Sequence, residues 1–90
     1  MYSLEFTDKA VEDLRWLKRC EPIAYHKAEK LLMELIEHPR TGTGKPELKK
    51  YNLAGCYSRR ISQKHRLIYQ VIDEKVIVLV LAAAGHYGDK

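Results

Sequence analysis

A strand, two amphipathic helices and then three strands on short connections predict an α+β fold, in which a two-helix hairpin packs on a small antiparallel sheet. Three observations carry this. Apolar residues recur at helical spacing from Ala10 to Ile36. From Leu53 onward the pattern changes to short β-branched and aromatic runs. The runs are separated only by Ser62-Gln63-Lys64 and Asp73-Glu74-Lys75, connections that suit antiparallel hairpins and not crossover units. Ninety residues support one hydrophobic core, so the chain reads as a single domain over 1–90.

The first element, Tyr2-Ser3-Leu4-Glu5-Phe6, alternates in polarity as a short strand does, and Thr7 or Asp8 can cap the helix that follows. In that helix Ala10, Leu14 and Leu17, with Val11 beside them, form the inward stripe, and Glu12, Asp13, Arg15 and Lys18 are expected to face out. Pro22 suits the first turn of a second helix, where its missing N–H costs nothing. Ala24, Ala28, Leu31, Leu32, Leu35 and Ile36 give that helix a continuous apolar stripe, ended near His38 by Pro39. Residues 40–45, with Gly42 and Gly44, read as an exposed loop. No Gly-Lys-Ser/Thr signature leads from this loop into a helix, so it is not taken for a nucleotide cradle. Strands follow at Cys56 to Ile61, Arg66 to Ile72 and Val76 to Ala82. The last is apolar on both faces, which places it inside the sheet rather than at its rim.

Composition narrows the function classes. The hydrophobic fraction of 46% and charged fraction of 31% are those of a globular chain. The longest apolar run, Val76 to Ala84, falls far short of the roughly 20 residues of a membrane helix, so no membrane association is expected. Nothing at the amino terminus resembles a secretory signal, and a cytoplasmic protein is expected. Cys20 and Cys56 are isolated from each other in sequence and read as reduced thiols. Charge is unevenly spread. Between Arg40 and Arg66 stand eight cations and one carboxylate, Glu47, a local charge of +7 in a chain whose formal total is +4. Such a concentration is the footprint of phosphate binding, although a solvated basic surface has the same composition.

Three residue types suffice for RNA cleavage without a metal or cofactor. A base takes the 2′-hydroxyl proton, a cation stabilises the crowded phosphorane, and an acid protonates the leaving 5′-oxygen. Glu47, ringed by Lys45, Lys49 and Lys50, is a candidate base whose ionised form the lysines favour; it reads otherwise as a surface glutamate balancing lysines. Arg66, at the start of a strand, offers a planar guanidinium to a phosphate, or is simply a solvated strand arginine. Arg59 and Arg60 project to opposite faces of the paired strand, so only one of them shares a face with the site. His86-Tyr87 follows the most apolar strand through Ala84-Gly85 and brings a proton donor suited to neutral pH, or else forms a loose tail. His26, His38 and His65 are expected to have surface roles and no metal.

In order along the chain, Gly44-Lys45-Pro46-Glu47, Lys50, Asn52-Leu53-Ala54-Gly55, Tyr57-Ser58-Arg59-Arg60-Ile61, His65-Arg66-Leu67-Ile68-Tyr69 and the final His86-Tyr87 resemble the YoeB/Txe branch of the RelE-like toxins. The ordered set is far more specific than any one member and spans about half the chain. The resemblance implies a RelE-like, microbial-ribonuclease-like fold and a toxin that cleaves messenger RNA in the ribosomal A site. It also implies a cognate YefM/Axe-like antitoxin, with a homodimer as a further assembly. By resemblance Glu47 takes the general-base position, Arg66 the phosphate-stabilising position and His86 the general-acid position. Lys50 and Tyr87 fall at accessory positions, and Lys49 and Arg59 join them as substrate-binding candidates.

The chain departs from the family in two places. Ala82-Ala83-Ala84 is neutral where relatives often carry a basic residue, which leaves charge stabilisation to Arg66 and the lysines, and three residues follow His86-Tyr87. A rival reading from another class is a catalytically silent member of the fold that acts by protein contact, as gyrase-poisoning relatives do. The presence of Glu47, Arg66 and His86 together argues against it. A general RNA-binding module is disfavoured by the single Trp16 and the few aromatics on the basic strands.

Overall fold

The chain runs β1 (Ser3–Phe6), α1 (Asp8–Cys20), α2 (Pro22–Glu37), β2 (Glu47–Leu48), β3 (Cys56–Arg60), β4 (Arg66–Ile72) and β5 (Ile77–Ala82). The computed structural model describes residues 1–40, 47–48 and 56–84. α1 starts where Thr7 breaks into extended geometry (φ −75°, ψ 164°) and its Oγ1 accepts the Ala10 N–H at 3.1 Å, satisfying one of the orphan donors of the first turn. Asp8 in the first turn and Lys18 and Arg19 in the last complement the helix dipole. Only Glu21 separates α1 from α2, and Pro22 opens α2 as expected.

The five strands form one sheet in the order β1-β5-β4-β3-β2. β2, β3, β4 and β5 pair antiparallel in succession. β1 instead pairs parallel with β5, Ser3 opposite Ile77 through Phe6 opposite Val80, so the expected antiparallel sheet is mixed at one edge. A parallel neighbour needs a long crossover, and here almost the whole chain lies between the two strands. β5 is thereby flanked on both sides, as its apolar pattern predicts. β2 was not foreseen; two residues carry no periodicity, and the strand exists through its pairing with Tyr57 and Ser58 on β3.

The helical hairpin covers one face of the sheet. Leu67, Tyr69, Val78 and Val80 point into it and are fully buried against Ala10, Leu17, Ala28, Leu31 and Leu35. Each such large side chain contributes roughly 1.5–3 kcal/mol by leaving water. Two polar residues expected at the surface are in this interior. Asp13 is 3% exposed and His65 is 1% exposed. Asp13 is drawn inward by the backbone N–H groups of Ala83 and Ala84, which donate to its Oδ2 at 3.0 and 3.3 Å. His65 closes the β3–β4 turn, where its carbonyl accepts from the Ile61 and Ser62 N–H groups and its ring meets Glu21. His26 and His38 are exposed, as expected. Cys20 is exposed and Cys56 buried, both as free thiols.

β4 and β5 are joined by a 3₁₀ turn at Asp73–Lys75, after which Val76 adopts φ 54°, ψ 47°. This left-handed conformation is unfavourable for a β-branched residue and starts β5 one residue later than its sequence pattern suggests. No helix among the described residues is long and apolar enough to cross a membrane.

Candidate active site

Strand alternation sends positions 57, 59 and 61 toward the helices and 56, 58 and 60 to the opposite face. Because Arg60 pairs with Arg66 and Ser58 with Ile68, and paired positions of an antiparallel ladder share a face, Arg66, Ile68 and Gln70 belong to that second face. Arg60 is exposed and Arg66 half-buried. Two guanidinium groups directly opposite each other on neighbouring strands repel, and among the described residues no carboxylate pairs with either. An oxyanion between them would relieve that repulsion and accept two forked donors.

Glu47 lies in β2 at the register position opposite Ser58, so positions 47, 58 and 68 form one row across three strands and Arg66 stands two residues along from it. From strand spacing and rise, the backbones of Glu47 and Arg66 are about 12 Å apart, a gap that a nucleotide phosphate and ribose can fill. The Ser58 hydroxyl in the middle of this row is buried and makes no hydrogen bond among the described residues. At the other side of β4, Ala82 pairs with Ile68 across a register irregularity. β5 therefore ends beside Arg66, and His86 lies four residues past that end. Lys49, Lys50, His86 and Tyr87 lie outside the described residues.

Arg59 is the correction. Expected to bind substrate, it is fully buried on the helix face. Its Nη1 donates to Glu34 Oε1 at 2.8 Å, its Nε to the Tyr69 hydroxyl at 3.0 Å and its Nη2 to the carbonyl of His38. Tyr69 in turn donates to the Pro39 carbonyl at 2.7 Å. α2 has no basic residue in its last turn, so Arg59 supplies from the sheet the cation that its C-terminal carbonyls lack. The burial that places Tyr69 here pushes its hydroxyl pKa up, with Arg59 partly opposing the shift. Arg60, absent from the expected set, takes the open face instead. Tyr57 and Ile61, at two residues either side of Arg59, mark the inward face in the sequence and could have assigned the two arginines.

Other members of the basic stretch are also committed to structure. The Arg40 guanidinium bonds Asp73 at 2.7 Å and the Tyr57 hydroxyl at 3.2 Å, and Tyr2 donates to the same aspartate at 2.8 Å. These contacts raise the Arg40 pKa and hold the Asp73 carboxyl below the usual range, the Arg40 bond being the larger cause. Lys64 Nζ lies 3.7 Å from Glu21 Oε2, and His65 Nε2 lies 3.2 Å from the same oxygen. The His65 ring packs edge-on to Trp16 at 5.7 Å. The hydrogen bond with His65 lowers the Glu21 pKa, against the opposing effect of burial. Of the described cations between Arg40 and Arg66, this leaves Arg60 and Arg66 available to an anion on the open face.

Residues 6–87 match the family described as the YoeB-like toxin of bacterial type II toxin-antitoxin systems. The chain belongs to this family. It is 39% identical to Toxin YoeB of Mycobacterium bovis over 88 residues, covering 97% of this chain and 100% of that one. It is 34% identical to the mRNA interferase toxin RelE of Escherichia coli over 82 residues, covering 90% and 79%. Among solved structures, the YoeB toxin in the YoeB-YefM complex from Staphylococcus aureus superposes with a TM-score of 0.83 at 33% identity over 97% of this chain and 99% of that one. The YoeB dimer from the same organism gives 0.82 at 33% identity over 96% and 98%. The α+β architecture is thus that of the YoeB and RelE toxins, and the chain is a toxin of the type II toxin-antitoxin class.

Proposed function

We propose that this toxin is a metal-independent endoribonuclease that cuts messenger RNA in the ribosomal A site of the cytoplasm and is silenced by a YefM-like antitoxin. The observation that supports the reading is the strand register, in which Arg60 stands opposite Arg66 and the row of positions 47, 58 and 68 lies two residues away. In this reading the Glu47 carboxylate takes the proton of the ribose 2′-hydroxyl and the 2′-oxygen attacks the adjacent phosphorus. Arg66, with Arg60 opposite it, stabilises the charge that builds on the phosphorane oxygens. His86 protonates the departing 5′-oxygen, leaving a 2′,3′-cyclic phosphate and a free 5′-hydroxyl. Tyr87, Lys49 and Lys50 bind the RNA around the scissile bond. The family names support the assignment, since RelE is called an mRNA interferase and YoeB is found with YefM. By the same analogy this chain assembles with an antitoxin, and a homodimer is a further assembly open to it.

The test is cleavage of a defined mRNA on programmed ribosomes, mapped by primer extension, with and without a chelator. Cleavage that survives chelation and falls by roughly 100- to 10,000-fold in Glu47→Gln and His86→Gln, with ribosome binding retained, is the expected result. Full cleavage by both variants would remove the acid-base assignment. No cleavage by the parent chain, with arrest of growth retained, would favour the protein-contact reading.

A further inference from the structure

We propose that Asp13 is a positioning residue for the chemical step, fixing the backbone of Ala83 and Ala84 where the chain leaves β5 toward His86. The role given to His86 rests on the ribonuclease reading above. Asp13 lies on α1 and is 3% exposed, yet its Oδ2 accepts from the N–H groups of Ala83 at 3.0 Å and Ala84 at 3.3 Å, about seventy positions further along the chain. Lys9 Nζ approaches the same oxygen at 3.3 Å. A carboxylate in the interior is costly unless it is paired and hydrogen-bonded, and these contacts supply both conditions with charge-assisted bonds.

The backbone makes the same demand from the other side. β5 ends at Ala82, so the next two N–H groups have left the ladder while remaining buried with their residues, Ala83 at 0% and Ala84 at 5% exposure. Buried backbone donors need an acceptor, and Asp13 is that acceptor. Because Ala83 and Ala84 have only methyl side chains, packing alone fixes their orientation weakly. The two hydrogen bonds define the direction in which the chain departs. Thr7 reinforces the junction, its Oγ1 donating to the Leu81 carbonyl at 2.9 Å.

His86 is two residues beyond Ala84, a reach of about 7 Å. The direction in which the chain leaves Ala84 therefore bears on the general acid of the ribonuclease reading, and a misplacement of about 1 Å at a reacting group can cost on the order of 100-fold in rate. Asp13 is thus expected to act on the chemical step and not on ribosome affinity, although it touches no substrate.

The experiment compares the full chain with Asp13→Asn, Asp13→Leu and Asp13→Ser. Single-turnover cleavage at saturating programmed ribosomes, ribosome affinity, amide exchange at Ala83 and Ala84, and the NMR signal of the His86 ring are all measured. Asp13→Leu should lower the cleavage rate roughly 10- to 100-fold with unchanged affinity, speed exchange of the two amides and shift the His86 resonance. Asp13→Asn, which keeps an oxygen at the accepting position, should recover most of the rate and protection. Where Asp13→Leu fails to fold, Asp13→Ser, polar but too short to reach both amides, takes its place with the same expected pattern. A folded Leu or Ser variant that cleaves at the parent rate, or leaves the His86 signal unmoved, overturns the proposal. If the parent chain does not cleave at all, the ribonuclease reading falls, and the exchange and His86 signals still decide whether Asp13 anchors the segment.

Discussion

Arg59 and Glu34 form an ion pair, Nη1 to Oε1 at 2.8 Å, in which the arginine is wholly buried and the glutamate side chain is 35% exposed. The pair ties the last turn of α2 to β3. Removing one partner from such a pair leaves the other uncompensated, which costs more than the pair itself contributes. Glu34→Ala should destabilise the toxin by about 3 kcal/mol in denaturant titrations. The double variant Glu34→Leu/Arg59→Met should be more stable than Glu34→Ala alone, and additive losses in the cycle would show that the two residues act independently.

Arg60 and Arg66 predict the opposite behaviour. Neither is needed by the core, and they repel one another, so Arg60→Ala should leave the denaturation midpoint unchanged or slightly raised. Its single-turnover cleavage should fall by roughly 100- to 1,000-fold if both guanidiniums hold the phosphorane. Arg66→Lys should also lose activity, because an ammonium cannot form the two parallel bonds of a guanidinium. Parental cleavage by Arg60→Ala would confine charge stabilisation to Arg66.

Acid stability should depend on Glu21. Its folded pKa lies below the ordinary value of about 4.3, chiefly through the His65 hydrogen bond. The unfolded chain therefore binds the proton first as pH falls. The stabilisation is complete above the ordinary glutamate pKa and is lost as pH drops through the lower folded value. Glu21→Gln should flatten the acid limb of stability against pH relative to the parent. An unchanged slope would mean that the loss arises elsewhere, for instance at Asp73, which Arg40 holds down in the same direction.

Val76, with φ 54° and almost half of its surface exposed, is a site for stabilisation. A left-handed conformation costs an L-residue roughly 1–2 kcal/mol, which glycine avoids at the expense of some chain entropy. Val76→Gly should raise stability by about 0.5–1 kcal/mol. A lower melting temperature would show that the valine side chain contributes packing that outweighs the strain.

What could be read from the sequence was local. Thr7 and Pro22 mark the helix starts, the Leu31, Leu32 and Leu35 stripe identifies the buried face of α2, and the alternation of β4 separates Leu67 and Tyr69 from Arg66 and Ile68. Asp13, Arg59 and His65 were misread for one shared reason. Each is polar, so each reads as surface, and each is buried by a partner distant in sequence: the Ala83 and Ala84 amides, Glu34, and Glu21. Of the candidate site, the face of Arg66 was legible. The choice between Arg59 and Arg60 depended on which face the helices cover, and the contribution of β2 depended on a register that two residues cannot encode.

The parallel contact between Ser3 and Ile77 has a consequence for how the toxin folds. β5 is the seam of the sheet, with β1 on one side and β4 on the other, and it is also the last of the described strands along the chain. Until β5 is in place, β1 has no neighbour among the described strands and the two helices have only part of the surface they cover. Closure of the domain thus depends on β5, because its pairing with β1 joins the two most distant strands described and is the slowest kind of contact to find.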